Sequence, residues 1–204
     1  MIFRVALLAF ATGLALPAVA QEDTALARIT ARVEQPELLR GAFEQARQVQ
    51  GFRQPLRSSG HFVLSREAGV LWLTEKPFPS SLSVTSKGLV AENDGQVRRI
   101  DTEKEPGLRA VNTLLSDLLG GELARLERDF SIEIEHEDAH GWRLKLVPRG
   151  EPLNRVFDAI ELQGAQYVES VSLAESNGDL SQISFSHLAK EPALSDAEMQ
   201  RLAQ

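Results

Sequence analysis

Apolar positions along this chain keep two rhythms, and the places where one gives way to the other mark out its elements. Leu26, Ile29 and Val33 recur at threes and fours, the spacing of a helix with one apolar face, behind Asp23 or Thr24 as a cap. Pro36 interrupts that pattern and can open a second helical turn at Glu37-Leu38-Leu39, after which Ala42 to Ala46 fits helix or strand, with strand preferred. From Ser58 the period becomes two, as in strands with one buried and one wet face. Phe62 and Leu64 alternate with His61, Val63 and Ser65, and Val70 to Thr74, Leu82 to Thr85 and Gln96 to Ile100 follow between turn-forming stretches, with Asp94-Gly95 the strongest hairpin signal.

A helical stripe of Val111, Leu114, Leu115 and Leu118 then interrupts the strands over Leu108 to Leu119; Gly120-Gly121 stops it, and Glu122 to Arg128 has room for one more short helix. Period two resumes at Phe130, Ile132 and Ile134, and again at Trp142, Leu144 and Leu146. Further strands are predicted over Phe157 to Gln163, Val168 to Ala174 and Leu180 to Leu188, and Ser195 is placed to cap a terminal helix or to lead into a loose end. About ten or eleven strands in one domain must split into two packed sheets or curl round. The predicted class is therefore mainly β with α, and in a curled sheet the amphipathic helices are the candidates to cover the concave face.

The first twenty residues stand apart. Arg4, an apolar run from Val5 to Leu16 and the small residues Ala18-Val19-Ala20 before Gln21 read as a cleavable secretory signal. That run is shorter than the roughly 20 residues a membrane-crossing helix needs, so a soluble periplasmic product spanning 21–204 as one domain is expected. The chain has no cysteine; in an oxidising compartment its stability must come from a core and not from staples. Its formal net charge of −7 argues against a nucleic-acid partner, which would call for basic clusters.

Candidate chemistry is sparse. His136-Glu137-Asp138-Ala139-His140 matches the HExxH zinc-protease pattern by letter, but that chemistry needs both histidines one turn apart on a helix. Here the residues fall between two period-two segments, before Gly141, and read as a polar hairpin turn. Ser58-Ser59-Gly60 lacks the flanking glycine pattern of a nucleophile elbow, and His61 and His187 stand singly in predicted strands. No catalytic residue, metal site or cofactor is expected.

Ordered residues carry a resemblance instead. Phe43-Glu44-Gln45, then Gly60-His61-Phe62-Val63-Leu64, then Arg66 with Trp72 six residues on and Pro77 five beyond it, then Ser83 to Gly88, resemble the periplasmic LolA-type lipoprotein carriers, and the later elements follow in the same order. Glu67 stands where the family often has proline. The resemblance implies an unclosed antiparallel barrel with a helical lid over an apolar cavity. It implies a cargo of lipoprotein acyl chains or another lipid, an inner-membrane exporter as donor and an outer-membrane receptor as acceptor. It also implies a lid latch at Arg66.

The expected cavity residues are Phe62, Leu64, Leu71, Trp72, Leu82, Val84, Val111, Leu114, Leu115 and Leu118, in a monomeric carrier. The competing expectations are a filled-core domain that scaffolds an envelope complex, and a hydrolase.

Overall fold

A computed structural model describes residues 25–100 and 106–203. The signal segment and the proposed caps Asp23 and Thr24 lie outside the described residues. In chain order the elements are α1 (Ala25–Arg32), β1 (Leu38–Gln48), β2 (Leu56–Ser65), β3 (Gly69–Lys76), β4 (Ser80–Thr85), β5 (Gly88–Asn93) and β6 (Gln96–Ile100); then α2 (Pro106–Leu119) and α3 (Leu123–Leu126). After these come β7 (Phe130–Glu137), β8 (Trp142–Pro148), β9 (Phe157–Gly164), β10 (Val168–Glu175), β11 (Leu180–Ala189) and α4 (Asp196–Leu202).

All eleven strands join one sheet in the order β6-β5-β4-β3-β2-β1-β11-β10-β9-β8-β7, and every neighbouring pair is antiparallel. Two meanders, β1 to β6 and β7 to β11, meet along β1 and β11, where Phe43 faces Phe185. β6 and β7 are the two free edges, so the curled sheet is an unclosed barrel. The helical insertion α2–α3 connects those edges.

Period two decides which side chains enter the concave face. In β8, Trp142, Leu144 and Leu146 are buried while Arg143 and Val147 are exposed. Phe130, Ile160, Leu162 and Val171 extend that apolar floor, and Ile29 of α1 with Val33 just after it, Leu114, Leu118 and Leu119 of α2, and Leu123 and Leu126 of α3 fill it from above. Each fully buried leucine or isoleucine contributes about 1.5–3 kcal/mol, so the concave face is the main store of stability.

The convex face carries a smaller cluster. Val63 and Leu71 pack beneath Leu202 of α4. This helix begins with a reciprocal cap: Ser195 Oγ accepts from the Glu198 N–H at 3.3 Å while Glu198 Oε2 accepts from the Ser195 N–H at 2.8 Å. The tail is thus a capped helix docked on the sheet, and β2 is apolar on both faces at Phe62, Val63 and Leu64 because something covers each side.

Two sequence expectations are corrected. Glu37-Leu38-Leu39 forms no helical turn: Leu38 already pairs with Ser65 and Leu39 with Leu64, and the ladder to β2 outweighs a local start signal at Pro36. β5 had no place among the predicted strands, since most of its residues are half-buried without alternation; it is held by pairing on both sides, Val84 to Leu89 and Leu89 to Ile100.

Candidate functional site

The floor beneath the helices is built from aromatic rings on four adjacent strands. Phe43 of β1 and Trp72 of β3 stack with centroids 3.9 Å apart, although β2 runs between them. Gly60 makes this possible: it is the β2 residue directly opposite Phe43, and its missing side chain lets the two rings meet above it. A Cβ there would also come within 1.9 Å of the Leu73 carbonyl oxygen, so β3 and a side chain cannot share the place. Phe62 of β2 meets Phe185 of β11 edge-on at 5.3 Å, and Trp72 reaches Phe185 at 6.1 Å. The phenylalanine, glycine and tryptophan singled out in sequence are therefore one packing unit.

Of the expected cavity residues, Phe62, Leu64, Val84, Leu114 and Leu118 are buried in the concave core, and Trp72, Leu82, Val111 and Leu115 are half-buried and packed against it. Leu71 is not among them. As the neighbour of Val70 and Trp72 in a pleated strand it points to the opposite face, where it packs with Val63 under α4. Phe43 and Phe185 and the second-half wall of Trp142, Leu144, Leu146, Ile160 and Leu162 belong to the same face but were not foreseen as site residues. Their alternation was visible in sequence; which face each strand turns inward was not.

The helices are fastened at the rim by charge. Arg66, in the β2–β3 turn, bonds through Nη1 to Glu122 Oε1 in the turn between α2 and α3, and its Nε lies 3.4 Å from Glu37 Oε1. One guanidinium thus joins the barrel rim to the helical insertion and to the start of β1. Across the barrel, Arg28 of α1 grips Glu137 of β7 with two bonds of 3.1 and 2.7 Å, and Arg32 donates to the Asp138 carbonyl at 2.6 Å. Behind α1, Glu34 accepts from Lys190 Nζ at 2.7 Å, from Tyr167 Oη at 2.8 Å, and from Gln166 Nε2. Hydrogen bonds from Lys190, Tyr167 and Gln166 hold the Glu34 carboxyl below its ordinary range, and the Arg28 bonds do the same for Glu137.

Along α2 the lid also meets the rim of the sheet. Asn112 Nδ2 donates to the Thr85 carbonyl at 3.1 Å, and a cleft of about 440 Å³ runs between this helix and the β3–β4 rim, lined by Arg66, Gly69, Val84, Thr85, Asn112 and Ser116 among others. Asp117, at its end, is buried, and burial raises its carboxyl above the usual range against the pull of Arg125 and Arg128.

The HExxH letters do not form a zinc site. His136 and Glu137 belong to strand β7 and His140 to the turn after it, where Asp138 Oδ1 accepts from the His140 and Gly141 N–H groups at 2.7 and 2.9 Å. The glutamate is taken up by Arg28. Among the described residues no cluster of three or more histidines and acids could hold a metal ion. His61 sits on the exposed face against Glu75 Oε1 at 2.8 Å, and Ser58 and Ser59 are ordinary members of β2.

An unclosed antiparallel barrel whose apolar concave face is covered by separately fastened helices defines a class of lidded open barrels. Residues 34–201 match the family described as outer membrane lipoprotein carrier protein LolA, and the chain belongs to that family. No curated protein matches the chain.

Several solved structures are similar to the chain at low identity. A DUF1329 family protein from Desulfovibrio piger is 11% identical over 85% of this chain and 94% of its own, with a TM-score of 0.47. A LolA superfamily protein from Nitrosomonas europaea is 10% identical over 84% and 94%, at 0.44. An outer membrane lipoprotein-sorting protein domain from Vibrio parahaemolyticus is 9% identical over 87% and 96%, at 0.46. Among the described residues no helix is long and apolar enough to cross a membrane.

Proposed function

We propose that this protein is a periplasmic carrier that accepts the acyl chains of lipoproteins, or of a related lipid, on the concave face of its barrel and moves them between the inner and outer membranes. The observation that carries this reading is the construction of the cover: an apolar face is closed by helices tied to the rim through side chains, with no strand pairing to break. Family membership supports the same reading. The donor would be an inner-membrane exporter and the acceptor an outer-membrane receptor, and the carrier itself, a monomer of one domain, performs no chemical step.

Magnitudes make the exchange of lid for cargo nearly balanced. Lifting α2 uncovers Leu114, Leu118 and Leu119 at a cost of roughly 4.5–9 kcal/mol, while an acyl chain burying about ten methylenes gains roughly 8 kcal/mol. A second reading, a scaffold domain for an envelope complex, draws on the dense filling of the concave face by α1, α2 and α3.

Mass spectrometry of the protein prepared gently from periplasm, first intact and then after organic extraction, separates the two. Lipid or lipoprotein at a defined ratio supports the carrier. None, even after incubation with acylated ligands, supports the scaffold.

A further inference from the structure

The antiparallel topology sorts the strand ends into two groups. At one end lie the β2–β3 turn with Arg66, the β7–β8 turn gripped by α1, and the β9–β10 turn that meets Glu34. At the other lie the β1–β2, β3–β4 and β10–β11 turns, on consecutive parts of the sheet. Four large apolar side chains are exposed there: Phe52 at 60%, Leu56 at 54%, Phe78 at 76% and Leu180 at 56%. Leu56 and Leu180 flank the end of β1, opposite Arg47 and Gln48 respectively. Phe52 caps the same hairpin, its carbonyl accepting from Gln48 Nε2 at 2.6 Å. Phe78 follows Lys76, the partner of Ser59 on the adjoining strand.

The charge on the β1–β2 hairpin runs against that of the chain. Among 29 acidic residues in 204, none falls between Glu44 and Glu67, a stretch that contains Arg47, Arg53, Arg57 and Arg66. Arg53, Arg57 and Lys76 are exposed beside the apolar tips. Glu175 and Asp179 are bonded to Arg47 at 2.8 and 3.0 Å, Glu75 is held by His61 at 2.8 Å, Glu44 shares a cleft with Arg57 and Lys76, and Glu75, Glu92 and Asp94 form the acidic margin of the patch beside Phe78. Aromatic and aliphatic tips beside the exposed arginines of an acid-free hairpin, on an otherwise acidic protein, fit a surface that is apolar just below a layer of negative charge. A protein partner's acidic patch would be met as well by the arginines alone and gives no reason for Phe52 and Phe78 to stand in water.

We propose that the strand ends carrying Phe52, Leu56, Phe78 and Leu180 are a docking surface for anionic phospholipid bilayers. The apolar tips enter the headgroup layer and Arg53, Arg57 and Lys76 lie against the phosphates, with the lidded end turned away. Such contact is reversible, since a few side chains and no lipid anchor are involved. This extends the carrier reading but rests on residues outside the covered face.

The chain's lack of cysteine allows a clean test with the full-length mature protein. Phe52→Cys and Phe78→Cys, each labelled with an environment-sensitive fluorophore, should shift to the blue on addition of vesicles of phosphatidylglycerol and phosphatidylcholine, and much less with phosphatidylcholine alone. Lys87→Cys, in the β4–β5 turn at the opposite end, should not shift. Co-sedimentation of unlabelled protein should fall at least about fivefold in Arg53→Glu, one membrane-facing cation being worth about that factor, and should fall on raising salt. Binding of a fluorescent fatty acid, followed in parallel, should be unchanged in Arg53→Glu, so a failed carrier reading is told apart from a failed docking surface.

Equal shifts at positions 52, 78 and 87, no sedimentation with anionic vesicles, or sedimentation indifferent to Arg53→Glu would overturn the proposal. So would photo-crosslinking from position 78 in cells that captures a membrane protein while vesicles give no shift, an outcome that assigns the patch to a protein receptor.

Discussion

Gly60 shows how a single residue can hold a site together by what it lacks. Its absent side chain leaves room for the Leu73 carbonyl and for the Phe43–Trp72 stack. Gly60→Ala is expected to fail to give a soluble, cooperatively unfolding protein, as judged by circular dichroism and urea titration. Phe43→Ala keeps the backbone but removes a fully buried ring; it should lower stability by about 3–5 kcal/mol, read from the urea midpoint. Arg66 is a contrasting case. Its pairs with Glu122 and Glu37 are partly exposed, so Arg66→Leu should cost at most about 1 kcal/mol of stability while releasing a bound fluorescent fatty acid faster to vesicles. Unchanged transfer would remove the latch role.

Much of the site was legible at this scale as residue types in order, because strand alternation and turn chemistry are local. The partner of Arg66 was not: Glu122 lies 56 positions away, and nothing local distinguishes it from its acidic neighbours. Leu71 was misplaced for a related reason. A leucine beside Trp72 looks equally apolar on either face, and only α4, arriving from the far end of the chain, makes the convex side a place for it.

Among elements, α1 is tied by carboxylates whose ionisation is favoured by folding. Glu34 and Glu137 both titrate below the ordinary value of 4.5. A depressed carboxyl contributes its stabilisation in full above the unfolded value and loses it as pH falls through the folded one. Acidification from pH 5 towards pH 3 is therefore expected to loosen α1 before the sheet unfolds. Hydrogen exchange should show early loss of protection at Ile29 to Arg32, with β8 and β9 still protected.

Asp117 runs the other way. Its raised carboxyl favours the fold below the unfolded value and loses that contribution as pH rises through the folded one, so Asp117→Asn should raise the melting temperature at pH 7 and have little effect at pH 3. α2 itself was readable from its stripe and its Gly-Gly stop. α1 was readable too, but its mooring to the β7–β8 turn was not. The letters of a zinc motif drew attention to those residues for a chemistry that needs a helix, and their use here is as an arginine socket on a strand end.

At the scale of the molecule, the barrel has a long seam. β1 lies at the middle of the strand order, with its own meander on one side and the last strand of the chain on the other. Gln45 faces Ser58 across one edge, 13 positions on, and Ile183 across the other, 138 positions on. The first edge can form as soon as the hairpin exists; the second waits for nearly the whole chain. Contacts of such separation are slow to form, and until β11 arrives β1 presents an open row of backbone donors and acceptors, with Phe43 uncovered beside it. A chain delivered N-terminus first would carry that sticky edge through most of its synthesis, so the greatest hazard of aggregation belongs to the incomplete protein and ends with its last strand.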